Sequence, residues 1–338
     1  MDLNTLWFIL IAVLYSGYFF LEGFDLGVGI LLPFISKDDI KRRVIINSIG
    51  PHWDGNEVWL ITAGAASFAA FPEWYATLFS SFYIPFFLML IALIIRGVAF
   101  EFRSKEESTL WRSFWDWSLC VGSFIPSFLW GIAFSNIISG VPIDITLNYI
   151  GGFWNLLNPF ALLGGLLTVI GFSLHGAIFI TLKTTDELMH TAKQISSRMW
   201  PFLLILILGY FVFVISETDI FSRPSSTSVT FLILTIISIL AIGLTLRYNI
   251  NKISFIFSSL GILLTSATIF LGLYPRLMIS NINANWSLNI YNSSSSPYTL
   301  RIMSIVAVIF IPLILMYQGW SYWVFRKRLS VKSGSLEY

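Results

Sequence analysis

The feature that most constrains this fold is a series of long apolar segments separated by short polar ones. A helix that crosses a bilayer needs about 20 mainly apolar residues. Nine segments predict such helices, at about 6–34, 52–71, 77–100, 114–137, 157–180, 199–216, 229–246, 254–275 and 300–325. The second and the sixth are short. Only 11% of the 338 residues are charged, against about 25% in soluble domains. We therefore predict an all-α polytopic membrane protein, with residues 1–338 forming a single membrane domain.

The basic residues predict how these helices are oriented. Cytoplasmic loops of membrane proteins carry an excess of Lys and Arg. Of the 20 Lys and Arg, 16 fall in alternate polar segments, namely 36–51, 101–113, 181–198, 247–252 and 326–332. The opposite loops hold Arg223, Arg276 and Arg301. This alternation requires all nine helices, and it predicts an N-terminus outside and a C-terminus in the cytoplasm. Because topology explains the basic residues, they do not indicate nucleic-acid binding.

Ionisable side chains inside the predicted helices are confined to the first half of the chain. They are Glu22, Asp25, Asp54, Glu57, Arg96 and Asp116. In the last five helices, His175 is the single titratable group predicted to lie well inside the bilayer. At about 1.5 Å of rise per residue, all six charged groups of the first half fall in the cytoplasmic half of the membrane.

Charges at this depth need partners, water or protons. Insertion scales give a cost of about 2.5–3.5 kcal/mol for a charge at the helix centre. Five acids cannot all be paired by one Arg, so the pattern predicts a proton path that opens to the cytoplasm. An alternative stays open, in which Arg96 pairs with Asp54 or Asp116 and only fixes helix packing.

His52, in the stretch PHWDGNEVWL, raises the question of a metal site with Asp54 and Glu57. On a helix, His52 and Asp54 would point apart, whereas Asp54 and Glu57 would share a face. Three histidines and one cysteine are a poor ligand set, so we predict no haem or metal site, and an interfacial position for His52. Gly23 and Gly27 form a GxxxG pattern, which predicts close helix packing in the membrane.

Several stretches resemble subunit II of the cytochrome bd-type quinol oxidases. They cover nearly the full length and include EGFDLGVGILLPF, RRVIINSIGPHWDGNEVWLITAGAASF, RGVAFEFRSK, WRSFWDWSLCVGSFIPSFLW, LLNPFALLGGL and ILMYQGWSYWVF. The block PHWDGNEVWL is the most specific of them.

The resemblance implies a respiratory complex of the bacterial cytoplasmic membrane that oxidises quinol and reduces oxygen to water with cytoplasmic protons. It implies two b-type haems and one d-type haem in subunit I, with none bound by ligands of this chain, and a possible structural quinone. The implied partners are that haem-bearing subunit I, a small single-helix accessory subunit and lipid. The implied fold is two four-helix bundles, at about 6–137 and 157–275, plus a peripheral helix at 300–325.

The resemblance also assigns roles to the charged residues. Asp54 matches the acid that the family uses in a proton path, and Asp25, Arg96 and Asp116 match neighbouring polar positions. Glu57 lies where other members can have Gln. A stand-alone proton-coupled transporter remains the alternative function, although transporters carry binding groups in both repeats and the second half here lacks charge. A purely structural scaffold is the third possibility.

Overall fold

The computed structural model describes residues 2–220 and 226–331, which are almost entirely helical. The helices are α1 (Leu3–Ile35), α2 (Asp39–Ile49), α3 (Trp53–Ala70), α4 (Pro72–Ser81), α5 (Tyr83–Phe102), α6 (Thr109–Ser139), α7 (Pro159–Lys183), α8 (Asp186–Glu217), α9 (Ser226–Arg247), α10 (Asn251–Leu273) and α11 (Pro297–Val324). Two short antiparallel strands, β1 (Arg276–Met278) and β2 (Leu288–Asn289), follow α10. Arg223 and Lys332, used in the orientation prediction, lie outside the described residues.

Eight of the described helices are long and apolar enough to cross a membrane, namely α1 and α5 to α11. The prediction of an all-α, multi-pass membrane protein is therefore confirmed. Two predicted boundaries are wrong. The segment predicted at 77–100 is divided, because Pro72 starts a separate helix α4 and α5 begins only at Tyr83. The helix predicted at 199–216 begins already at Asp186, because a polar helical extension precedes its apolar part.

Helix α3 is the one predicted span that does not qualify by length and composition. Its 18 residues include Asp54, Glu57 and many small side chains. The Nε1 of Trp59 near its start donates to Gln318 in the last third of α11. The carbonyl oxygen of Ala69 at its end accepts from Ser295, just before α11. Helix α3 thus runs antiparallel to α11, and a ninth crossing and the division into two bundles stay predictions.

The basic segments share one end of the structure. Lys41 of α2 pairs with Glu187 of α8 at 2.6 Å, and Arg103, after α5, pairs with Asp39 at 2.8 Å. The Nζ of Lys183 donates to a carbonyl oxygen at the end of α11. This is the grouping that the alternating charge pattern predicts, and we call it the basic end.

The two long loops lie together at the opposite end. Val141, after α6, is bridged to Ser280 in the α10–α11 loop. The Nδ2 of Asn4 at the start of α1 donates to the carbonyl oxygen of Ile290 at 2.7 Å. Arg276 forms a two-point pair with Asp219 at 2.7 Å per bond. Which side of the membrane this end faces stays a prediction.

Helix α1 lies at the centre and packs against α3, α6, α7 and α10. A Cβ added at Gly27 would lie 1.8 Å from the carbonyl oxygen of Phe172 on α7, and one at Gly23 would lie 2.9 Å from the Phe172 ring. The predicted close packing at these two glycines is therefore confirmed. By contrast, Leu300 is the only buried side chain of α11, so α11 lies at the periphery.

Candidate functional site

Three helices bring a guanidinium and two carboxyl groups together in the interior. Arg96 of α5 and Glu22 of α1 are both 0% exposed. The Nη1 of Arg96 donates to Glu57 Oε1 of α3 at 2.7 Å. The same nitrogen lies 2.9 Å from Glu22 Oε1. Arg96 therefore pairs with Glu22 and Glu57, and the expectation of a pair with Asp54 or Asp116 is wrong.

The position of Arg96 is fixed by its packing. Its guanidinium lies 5.4 Å from the ring centre of Phe100 and 6.0 Å from that of Trp53, and these two rings stack at 4.9 Å. Cation–π contacts of this kind favour a cation held away from water. On α6, a Cβ added at Gly122 would lie 2.9 Å from Arg96 Cβ, so α6 must carry glycine there for α5 to approach.

Asp25 lies one turn along α1 from Glu22 and has a neutral partner. It is 0% exposed, and its Oδ2 accepts from Asn56 Nδ2 of α3 at 2.6 Å. The other side of the Asn56 amide faces α11, where Gln318 Nε2 and Tyr322 OH donate to Asn56 Oδ1 at 3.1 and 2.9 Å. Asn56 therefore connects α1, α3 and α11.

This cluster, which we define as Glu22, Asp25, Asn56, Glu57 and Arg96, has an excess of acid. Three carboxyl groups face one guanidinium, and a net negative charge is costly away from water. Within the described chain, both Glu22 oxygens, Asp25 Oδ1, and Arg96 Nε and Nη2 form no hydrogen bond, and the contact of Glu22 Oε1 with Arg96 is an ion pair only. Buried polar atoms normally find partners. The arrangement therefore favours bound protons and internal water.

Asp54 is exposed, whereas His52, the cap residue before α3, is buried. This difference in burial agrees with the prediction that the two side chains point apart. No hydrogen bond or ion pair to the Asp54 carboxylate occurs among residues 2–220 and 226–331. Its neighbours on the exposed face are apolar, such as Val58 at 46% and Ile61 at 70% exposure. Glu57, on the next turn, connects this surface to the buried cluster.

Asp116 belongs to a separate ion-pair network at the basic end. It is 1% exposed and accepts from Arg103 Nε at 2.5 Å and from Arg42 at 2.8 Å. Arg112 and Arg103 both contact Asp39 in the same network. The five acids were expected to outnumber their basic partners. This expectation is wrong for Asp116, because arginines from the polar segments pair with it.

Two histidines lie in the interior. His52 is 3% exposed; its ring stacks on Tyr322 at 4.3 Å, and its Nε2 lies 3.4 Å from Lys183 Nζ at the basic end. Its position at the membrane interface stays a prediction. Both ring nitrogens of His175 have partners, Ser258 Oγ at 2.8 Å and the carbonyl oxygen of Phe20 at 3.2 Å.

The two interior histidines differ in whether a ring nitrogen is free. Both nitrogens of His175 are hydrogen-bonded, whereas His52 Nδ1 is buried without a hydrogen-bond partner among the described residues. The described residues contain no group of three His, Cys, Asp or Glu side chains that could hold a metal ion. Cys120 is buried, and its thiol contacts a backbone carbonyl oxygen.

Sequence reasoning did not identify Asn56, Gln318, Tyr322 and Lys183 as parts of this interior. Asn56 stands inside the block that drew attention to Asp54 and Glu57, so a polar residue between two acids was a usable signal. Gln318 and Tyr322 gave no such signal in the sequence, since an amide and a phenol near the end of an apolar helix are common at membrane interfaces.

Comparisons with known proteins agree with one another. Residues 3–325 match the family described as cytochrome bd terminal oxidase subunit II. The chain is 41% identical to cytochrome bd ubiquinol oxidase subunit 2 of Bacillus subtilis (strain 168), with 98% of each chain covered. It is 37% identical to cytochrome bd-I ubiquinol oxidase subunit 2 of Escherichia coli (strain K12), covering 95% of this chain and 93% of the relative.

The fold is also that of a solved oxidase. A chain in the structure of bd oxidase from Geobacillus thermodenitrificans superimposes with a TM-score of 0.76 at 14% identity, covering 97% of this chain and 100% of that chain. The predicted resemblance is thus confirmed. The chain belongs to the cytochrome bd terminal oxidase subunit II family, and its enzymatic role is that of one subunit of a quinol oxidase.

Proposed function

We propose that this chain is the haem-free subunit of a bd-type quinol:oxygen oxidase and supplies protons from the cytoplasm for the reduction of oxygen to water. The observation that carries the proposal is the buried cluster, in which three carboxyl groups share one guanidinium. Such a cluster can gain and lose protons while its negative charge stays close to the Arg96 guanidinium. The proposal also includes support for assembly with the haem-bearing subunit I.

The proposed path begins at Asp54 and leads inward. Asp54 is exposed, and Glu57 lies one turn further along the same face of α3. Glu57 contacts Arg96, which in turn reaches Glu22. Asp25 follows one turn along α1. In this proposal Arg96 restrains the acids electrostatically, and Asp116 stabilises the mouth of the path at the basic end.

We further propose that subunit I covers the face of α3 and α5 that carries Asp54. This face is apolar apart from the carboxylate, with Val58 and Ile61 on α3 and Ile91, Ile94 and Ile95 on α5 all exposed. A carboxylate at such a surface costs too much against lipid tails and normally faces a polar partner or water. A partner protein that continues the polar path would provide the polar contact that the Asp54 carboxylate needs.

The oxidase family implies haems in the complex, and we place two b-type haems and one d-type haem in subunit I. His175 supports this, since both of its ring nitrogens are hydrogen-bonded, and so does the lack, among the described residues, of any group of three metal-binding side chains. We also propose that the exposed faces of α8, α9 and α11 contact lipid, a small single-helix accessory subunit and a structural quinone.

The proposal also includes the orientation of the chain, with its C-terminus in the cytoplasm. Membership of an oxidase family disfavours a stand-alone transporter.

The test is an Asp54→Asn variant of the complete oxidase. Asparagine keeps the shape and removes the titrating proton, so we expect unchanged haem absorption and slower oxygen uptake. Groups in proton transfer typically contribute 10²–10⁴-fold, and a parallel path would reduce the loss. Asp54→Glu is the matched control, because it retains a carboxyl group at the same place and should keep most activity.

Two results would contradict the proposal. Normal oxygen uptake by a fully assembled Asp54→Asn oxidase would show that Asp54 does not relay protons. Loss of haem absorption together with activity, in both variants, would make Asp54 a structural residue.

A further inference from the structure

A continuous chain of side-chain hydrogen bonds leads from α3 through α11 to the buried acid of α1. Trp59 Nε1 donates to Gln318 Oε1 at 2.7 Å. Gln318 Nε2 donates to Asn56 Oδ1 at 3.1 Å. Asn56 Nδ2 donates to Asp25 Oδ2 at 2.6 Å. Four side chains on three helices thus form one series of donors and acceptors.

The direction of this series is fixed at both ends. The indole nitrogen of Trp59 can only donate, so it must face the oxygen of the Gln318 amide and leave the nitrogen toward Asn56. The carbonyl oxygen of Leu21 can only accept, and it receives Asn56 Nδ2 at 3.3 Å. Neither amide can therefore turn over without placing two donors or two acceptors against each other.

Tyr322 reinforces the same orientation. Its hydroxyl donates to Asn56 Oδ1 at 2.9 Å, so this oxygen accepts two hydrogen bonds from α11. A carbonyl oxygen has two lone pairs, and both are used. The amide of Asn56, which is 0% exposed, consequently presents only its nitrogen to Asp25.

We infer that Asn56 and Gln318 are positioning residues that fix which oxygen of Asp25 carries the exchangeable proton. Because Oδ2 must accept from Asn56, the proton resides on Oδ1. That oxygen is buried and has no partner among the described residues, so it is the free atom through which Asp25 can exchange a proton with the rest of the cluster or with water. The inference rests on the proposed role of Asp25 in proton supply.

The same contacts assign a specific role to the peripheral helix α11. Helix α11 is exposed along most of its length, and packing alone would not require an amide and a phenol on its inner face. Gln318 and Tyr322 form the polar contacts of α11 with the buried cluster. The effect of α11 on turnover should therefore depend on these two side chains rather than on its apolar surface.

The test compares variants of the complete oxidase by infrared difference spectroscopy and oxygen uptake. The carboxyl C=O stretch that Asp25→Asn removes identifies the band of Asp25. The double variant Gln318→Leu with Tyr322→Phe releases the Asn56 amide, so we expect this band to shift and oxygen uptake to fall. The fall should be about threefold to tenfold, the effect of losing the single hydrogen bond from Asn56 to Asp25.

Tyr317→Phe is the control, since Tyr317 is an exposed neighbour on α11 outside this chain of contacts. It should change neither the band nor the rate. If the double variant weakens assembly, Gln318→Leu alone provides a milder version of the same test, with a smaller shift.

The possible failures can be told apart. If Asp25→Asn slows the assembled oxidase but the double variant keeps the wild-type band and rate, the positioning role is wrong while the proton path stands. If Asp25→Asn turns over normally, the path through Asp25 is wrong. If Asp25→Asn removes no carboxyl band, Asp25 carries no exchangeable proton and the inference is overturned.

Discussion

The contact between α1 and α7 leaves no room for a side chain at Gly176. A Cβ added there would lie 2.5 Å from both the carbonyl carbon of Gly27 and the nitrogen of Val28. These are backbone atoms of a buried helix, so no change of rotamer can move them. Since ordinary van der Waals contact begins near 3.4 Å, Gly176→Ala requires the two helices to separate by about 1 Å.

That separation sets the expected loss of stability. A gap of about 0.5–1 Å forfeits a quarter to a half of the attraction between facing atoms, and overpacking substitutions typically cost about 1–3 kcal/mol. The better helix propensity of alanine offsets about 0.5–1 kcal/mol of this loss of stability. We therefore expect Gly176→Ala to destabilise the oxidase by about 1–2 kcal/mol. The midpoint of thermal denaturation of the purified complex, followed by haem absorption, measures this.

The matched control lies on the same helix. At Gly171 of α7, the nearest atom to an added Cβ is Leu203 Cδ1 at 3.9 Å. Gly171→Ala should therefore keep or slightly raise the midpoint, because the helix gains propensity without a clash. Equal midpoints for Gly176→Ala and Gly171→Ala would refute the packing argument.

Three further predictions concern other parts of the chain. Arg103→Ala should cost about 1–3 kcal/mol, because buried Asp116 then keeps only Arg42 as a charged partner, and Arg103→Met with Asp116→Leu should recover thermal stability. Failure of this recovery would show that the network has another role. A reporter fused after Arg328 should be active only in the cytoplasm and one near Ser294 only outside; the same side for both would contradict nine crossings. Cys120, 6% exposed, should not react with maleimide until the complex denatures, and rapid labelling would contradict its burial.

The fold could largely be predicted from the sequence because membrane helices have a strong local signal. Apolar length marks α1 and α5 to α11, and the basic segments predict which ends lie together. Helix α3 is harder to predict as a span, since Asp54 and Glu57 reduce its apolar character. Its first residues nevertheless lie near the basic end and its last residues near the long loops. Helices α2 and α4 were not predicted, because short helices between spans depend on caps such as Asp38 and on Pro72.

The site could be predicted only in part. Charge inside an apolar segment marks Glu22, Asp25 and Arg96, because each needs a partner there. The choice of partner depends on how helices far apart in sequence pack, and depth alone suggested the wrong pairs for Arg96. Asp116 is the clearest example, since its partner Arg103 lies in a polar segment that looked like a simple topology signal.

In the proposed function, protons reach this subunit from the basic end through Asp54. The most direct measurement is proton uptake during a single reoxidation of the fully reduced complex by oxygen, with the oxidase oriented in vesicles and a pH dye on the side of the basic segments. We expect the dye to report uptake on that side, and we expect Asp54→Asn to slow this uptake while Asp54→Glu does not. Uptake from the opposite side, or an unchanged rate in an assembled Asp54→Asn oxidase, would contradict it.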